Sequence, residues 1–431
     1  MALADLMDDR KQRLHALLDL ARVTRGWSRA QLARAIGRDP TKVYPDSGNP
    51  KADFLVKLAG ILEWPVGDLL EAIWGEDGTT SLDDRSICAA APSTPAEYRA
   101  LYDDARAAHA EGQFQRVVDT ARAMHSVADT NERRAFACAM EYSGWDGLGR
   151  YLQGVEACRR GLSYPGISTT TRNILRADLA NAWYSLGDLT PALGTAELLA
   201  SWYDQHPPER PVDRKRIAFV KYLRGNIRRC LTTIEPDDRD VHGQAGLADL
   251  HAAAALYREL SVELEDPSLA GIANTCDGGI LEIEVELGLR EPQAAVDHLL
   301  RGVEAAREAS ELIIGDWLES YGWWCIFGGN IAVRHLTGRA QQDAVRRFTT
   351  KALAIADRLD NWAMRERVFS TQFLAHRHIA DQTGLDLELQ VDERQRCQIT
   401  AAMGRFPAFR PLAWQMLQSA RLVDAAAGGA A

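Results

Sequence analysis

Residues 179–193 read Leu179-Ala180-Asn181-Ala182-Trp183-Tyr184-Ser185-Leu186-Gly187-Asp188-Leu189-Thr190-Pro191-Ala192-Leu193. Leu175, Leu179, Ala182 and Leu186 recur at helical spacing and give one apolar side. Gly187 interrupts that pattern, and Ala192, Ala196 and Leu199 resume it on a second helix. A glycine between two antiparallel helices supplies the positive φ that the turn needs. The small residues Ala182, Ala192 and Ala196 let the two helices approach closely, so the stretch predicts a helical hairpin.

The same order of glycine, spacer and apolar residue appears as Gly112-Gln113-Phe114, Gly149-Arg150-Tyr151 and Gly225-Asn226-Ile227. With Gly187 included, the glycines stand 37, 38 and 38 residues apart (149 − 112, 187 − 149, 225 − 187). Looser copies follow around Gly288 and Gly338. A fixed period in this range signals a solenoid, because a single hairpin cannot bury its apolar face and stacked hairpins can. Abundant Ala and scarce runs of Val, Ile and Thr also favour helix over strand.

On these residues, 96 to about 410 resembles tetratricopeptide repeats, with a period a few residues longer than that family's. The resemblance implies a right-handed α-solenoid whose first helices line a concave surface for a peptide or protein. Asn181, Tyr184, Lys221, Asn274 and Asn330 fall on or near those first helices. They are candidate ligand-binding residues, since an Asn side chain donates to and accepts from a peptide backbone together. Trp317, Tyr321, Trp323, Trp324 and Phe327 cluster at a spacing more typical of packing between helices than of a ligand wall. Glu282, Glu284 and Glu286 alternate and read as a charged surface.

Ahead of this array lies a compact set of short amphipathic segments over 10–76. Ser28 followed by Gln31 is a capping box opening a helix that Gly37 ends. The stretch Trp27-Ser28-Arg29-Ala30-Gln31-Leu32-Ala33-Arg34-Ala35-Ile36-Gly37, with Asn49-Pro50-Lys51 and Leu55 to Leu62, resembles the XRE, or lambda-repressor-like, helix-turn-helix family. That resemblance implies a five-helix domain whose reading helix corresponds to Pro40–Tyr44. Pro45 shortens this helix to one turn, because proline disfavours helix at the residue before it. The resemblance makes Arg29, Arg38, Thr41, Lys42, Tyr44 and Lys51 candidate DNA-binding residues.

Charge supports that assignment locally rather than globally. The chain carries −10 overall, yet residues 10–42 hold nine basic and two acidic side chains. Residues 1–76 as a whole balance at 11 basic and 11 acidic. The seven cysteines are odd in number and form no CxxC pair, which excludes a disulfide framework and a cysteine zinc site. No run of 18 apolar residues occurs, and Met1–Arg13 lacks a signal-peptide core. A cytoplasmic protein without membrane contact is expected.

The expected organisation is all-α. A head spans 10–76, a Gly/Pro/Ser/Thr-rich linker 77–95, the repeats 96–410, and a C-terminal helix with a disordered tail 411–431. His376 and His378 stand two apart and project to different helix faces, which excludes a shared metal. No GxSxG, HExxH or paired-carboxylate constellation points to an enzyme, and no cofactor is implied. The expected function is a DNA-binding transcriptional regulator, acting as a homodimer, with a peptide or protein effector in the groove. The alternative is a protein-interaction scaffold whose head has lost specific DNA readout.

Overall fold

The structure is a computed structural model that describes residues 3–47, 50–62, 64, 66–74, 95–308, 315–384 and 389–423. The chain forms two compact units, one drawn from Met1–Ala89 and Thr383–Ala431, the other from Ala90–Gln382. Both are built from helices, as composition and periodicity imply. Residues 77–94 of the expected linker and 424–431 of the expected tail lie outside the described residues.

The first unit opens with α1 (Leu3–Thr24), α2 (Arg29–Ile36), α3 (Ala52–Leu62) and α4 (Val66–Trp74). Ser28 and Gln31 form the reciprocal capping box, and Gly37 ends α2 at φ +76°. Leu14, Leu18, Leu32, Ile36, Phe54, Leu58, Leu69 and Ile73 are fully buried at the centre. One expected helix is missing: residues 40–44 form turns and bends. The Asp39 carboxylate accepts from the Thr41 amide at 2.8 Å and its hydroxyl at 2.5 Å as an N-cap would, but the turn closes from the Lys42 amide to the Asp39 carbonyl at 2.9 Å, and Arg29 takes the Pro40 and Thr41 carbonyls that a helix would use next. Pro45 then restrains Tyr44, and among the described residues of 10–76 four helices stand where five were expected.

The second unit is a series of helical hairpins. These are α5 (Pro95–Ala110) with α6 (Phe114–Val127), α7 (Asn131–Gly147) with α8 (Tyr151–Ser163), and α9 (Thr169–Leu186) with α10 (Leu189–Gln205). They continue as α11 (Pro211–Ile234) with α12 (Arg239–Glu263), α13 (Ser268–Glu286) with α14 (Pro292–Glu308), and α15 (Gly315–His335) with α16 (Gly338–Leu359). The odd-numbered helices from α7 to α15 also pack on one another as a continuous layer. A final helix, α17 (Trp362–Thr383), sets Met364 and Val368 into the core that holds Phe348, Ala352 and Ile331. Its first residue reaches the α7–α8 turn, where a Cβ on Gly149 would stand 2.9 Å from that of Trp362.

Gly112, Gly149 and Gly187 turn the chain at φ +70°, +64° and +84°, as their period predicts. Gly225 does not. It lies inside α11, where a Cβ would stand 2.7 Å from Leu250 Cγ, and the turn comes later at Pro236–Asp238. There a glycine serves close helix approach instead of a turn.

The first unit is completed by the C-terminal part of the chain, with α18 (Glu393–Arg405) and α19 (Arg410–Ser419). Strand β1 (Leu389–Asp392) pairs in parallel with β2 (Ala420–Val423), Leu389 opposite Ala420. Residues 383–410, expected to end the repeats, group with the head instead. The physical reason is Trp64, which α18 and α19 cover. Its indole N–H donates to the Thr400 carbonyl at 2.7 Å, and the Arg410 guanidinium lies 5.3 Å from the ring centre.

Candidate functional site

Two sites can be built from the candidate residues, one in each unit. In the head, Arg29 at the start of α2 donates to the Pro40 and Thr41 carbonyls at 2.8 and 3.3 Å. The guanidinium also stands 5.1 Å from the Tyr44 ring centre. Arg29 therefore organises the 40–44 turn while keeping an exposed side. Thr41, Lys42 and Lys51 are exposed as well. Tyr44 points the other way, donating to Asp19 at 2.5 Å and meeting His15 edge to face at 5.3 Å. Arg38 stacks over Phe54 at 4.4 Å. The structure thus brings Arg29 of α2 onto the turn that carries Thr41 and Lys42, turns Tyr44 towards Asp19, and lays Arg38 against Phe54 of α3.

In the repeat unit, the odd-numbered helices from α7 to α17 surround a cavity of about 630 Å³. Asn181, Tyr184 and Asn330 line it, as do Trp323 and Phe327 of the aromatic cluster. Asn181 Nδ2 donates to the Tyr142 hydroxyl at 2.8 Å and to Asp146 Oδ1 at 3.3 Å. Asn330 Nδ2 donates to Glu282 Oε1 at 3.1 Å. Asn274 is not part of the lining. Its amide reaches Ser320 at 2.8 Å and its carbonyl accepts from Trp324 at 2.6 Å, which ties α13 to α15. Lys221 is also outside the lining, and Trp317 stacks against Tyr321 at 6.3 Å.

Several lining residues carry charge that the sequence reading missed. Glu282, expected on a charged surface, is instead only 2% exposed. It accepts from Arg229 Nη1 at 2.6 Å and from Arg334, and with Asn330 this joins α11, α13 and α15. Burial works to raise the Glu282 carboxyl, but Arg229 and Arg334 outweigh it and hold the group below the usual carboxylate range.

The opposite case is Asp146. Its partners are weak, Tyr142 at 3.5 Å and Asn181 at 3.3 Å, and no cation pairs with it among the described residues. Burial, with Glu319 adding repulsion, pushes its carboxyl up to about 7 against the Tyr142 hydrogen bond. Glu319 accepts from Trp323 at 3.1 Å and Asn361 at 2.9 Å. Arg367 of α17 also lines the cavity, with a side chain 42% exposed and a loose 3.3 Å ion pair to Glu366. The cavity therefore offers aromatic walls, two amide side chains (Asn181 and Asn330) and charges of both signs. Such a lining is suited in chemistry to a small polar ligand held by shape and by placed hydrogen bonds.

No family model matches the chain, and no curated protein matches it. Among solved structures it is similar to Bacillus thuringiensis PlcR in complex with the peptide PapR7 and DNA. That likeness has 15% identity and a TM-score of 0.32, covering 81% of this chain and 99% of that chain. A likeness that slight identifies neither a family nor a function.

Proposed function

We propose that this chain is a DNA-binding transcriptional regulator whose repeat unit takes a short peptide effector in its central cavity. The observation that carries the reading is the cavity itself. Its volume of about 630 Å³ lies in the range of sites for small ligands and is too small for a folded protein. Its amide side chains suit a peptide backbone, which presents donors and acceptors in alternation. In this reading residues 10–76 are the DNA-binding head, acting in a cytoplasmic homodimer, with 77–95 as the linker. Among the described residues no helix is long and apolar enough to cross a membrane. The exposed Arg29, Thr41, Lys42 and Lys51, within a locally basic stretch, support phosphate contact.

The test is selection from random-sequence DNA with the full chain at two salt concentrations. The expected outcome is an enriched palindrome with half-sites about one helical turn apart. Arg29→Ala and Lys42→Ala should weaken that binding and each lower the salt slope by about one. A second reading has one observation in its favour: residues 40–44 form no helix. If selection enriches no motif and retention is weak at both salts, the head is a docking module and the chain a protein-interaction scaffold.

A further inference from the structure

Two pairs of like charge stand in the cavity, one acidic and one basic, the basic pair beside the Glu282 carboxylate that Arg229 and Arg334 share. The acidic pair is Asp146 of α7 and Glu319 of α15, close enough for Glu319 to act on the Asp146 carboxyl. The basic pair is Arg229 of α11 and Arg367 of α17, which likewise repel each other. Arg229 is matched by Glu282, and the ion pair of Arg367 among the described residues is the 3.3 Å contact to Glu366, the largest influence on it. Like charges facing each other in a partly enclosed space are unfavourable unless opposite charge is supplied. Nothing within the unit supplies a cation to Asp146 among the described residues.

We infer that the cavity binds a dipolar short peptide, with its cationic group between Asp146 and Glu319 and its carboxylate at Arg367. The inference rests on the peptide reading above and sharpens it. Aromatic side chains support the cationic end, because Tyr151, Tyr222 and Trp323 line the same cavity and attract a cation through their ring faces. Length follows from the path between the two pairs. Asp146 accepts from Asn181, Tyr184 lies one turn along α9, and the Tyr184 hydroxyl accepts from Arg229 at 3.3 Å. With about 1.5 Å of rise per residue on α9 and one tyrosine side chain, that path to Arg229, which stands near enough to Arg367 to repel it, is roughly 10–15 Å. An extended peptide of about three to five residues spans it at about 3.3 Å each. Asn330, whose Nδ2 is held by Glu282, then offers its Oδ1 to a backbone N–H between the ends.

The experiment is equilibrium dialysis of the full chain against a random tetrapeptide pool, with retained peptides read by mass spectrometry. Parallel pools carry an acetylated amino terminus, an amidated carboxyl terminus, or no Lys and Arg. The expected result is a retained subset from the free pool. Retention should fall at least tenfold when the cationic group is removed and at least tenfold on amidation. The acetylated and Lys/Arg-free pools show whether the cation is the terminal amine or a basic side chain. Asp146→Asn should abolish the preference for the cation and leave the amidation effect intact; Arg367→Gln should do the reverse. Asp146→Asn removes a destabilised charge, so its thermal midpoint should stand at or above that of the parent chain.

Retention indifferent to capping and to both substitutions would overturn the dipolar ligand while leaving a peptide effector in place. No retention from this pool, or from a heptapeptide pool run beside it, would overturn the peptide reading and this inference together.

Discussion

Glu282 and Asp146 are both carboxylates in one cavity, and their surroundings drive them in opposite directions. Glu282 holds Arg229 and Arg334, so Glu282→Gln leaves the buried Arg229 without its anion. Breaking such a pair costs about 3–5 kcal/mol, and urea denaturation should show that loss. The folded Glu282 sits below its unfolded value near 4.3, so its contribution is present above that pH and lost as pH falls through the folded value. Asp146 is the reverse. Its folded value of about 7 exceeds the unfolded value near 3.9, so stability is fullest below 3.9 and declines as pH rises to 7. The groups acting on it are Tyr142 of its own helix, Tyr151 of α8, Asp178 and Asn181 of α9, and Glu319 of α15. Asp146→Asn should therefore raise stability by about 1–2 kcal/mol at pH 8, the cavity's water discounting the full shift. At pH 4 thermal melts of the two proteins should nearly coincide. Neither residue's role was legible in the sequence. A charge on one helix says nothing about which charges five other helices bring to it.

The helices and their turns were far more legible, because local patterns specify them. Ser28 with Gln31, and the glycines at 112, 149 and 187, do what their spacing implies. Gly225 shows the limit of that logic. A glycine fits both a positive-φ turn and a tight helix crossing, and only its neighbours in space decide which. Two other glycines turn this into a prediction. Gly194 is exposed within α10, and a Cβ placed there would meet nothing within 4 Å, so Gly194→Ala should stabilise the protein by about 0.5–1 kcal/mol. Gly328 lies in α15 against the fully buried Phe348, where a Cβ would stand 2.2 Å from the ring. Gly328→Ala should destabilise by about 1–3 kcal/mol despite the same gain in helix propensity. Chemical denaturation of the two variants should move in opposite directions; equal shifts would mean that α15 and α16 do not approach as closely as they do here. The 40–44 turn belongs at this scale too. Pro45 forewarned of a short helix, while the grip of Arg29 on the Pro40 and Thr41 carbonyls joins residues eleven and twelve apart and follows from no local pattern.

At the scale of the whole chain, the first unit is made from both ends of the sequence, and nothing local announces that. The pairing of Leu389 with Ala420 and the covering of Trp64 by α18 and α19 join residues with no common period or motif. Trp64 is 5% exposed because Thr400, Gly404 and Arg410 enclose it. Uncovering a buried indole forfeits on the order of 3–5 kcal/mol, a large part of a small domain's total. A chain ending at residue 382 should therefore lose amide protection throughout α1, α3 and α4, where native hydrogen exchange would read it. Protection in α9, α11 and α13 should be unchanged, because their cores draw on residues of the second unit alone. If α1, α3 and α4 kept their protection, the head would be self-sufficient and the C-terminal helices an accessory. If they lose it, a head truncated at Trp74 is the wrong object for any DNA-binding measurement, and the completed unit with α18 and α19 is the right one.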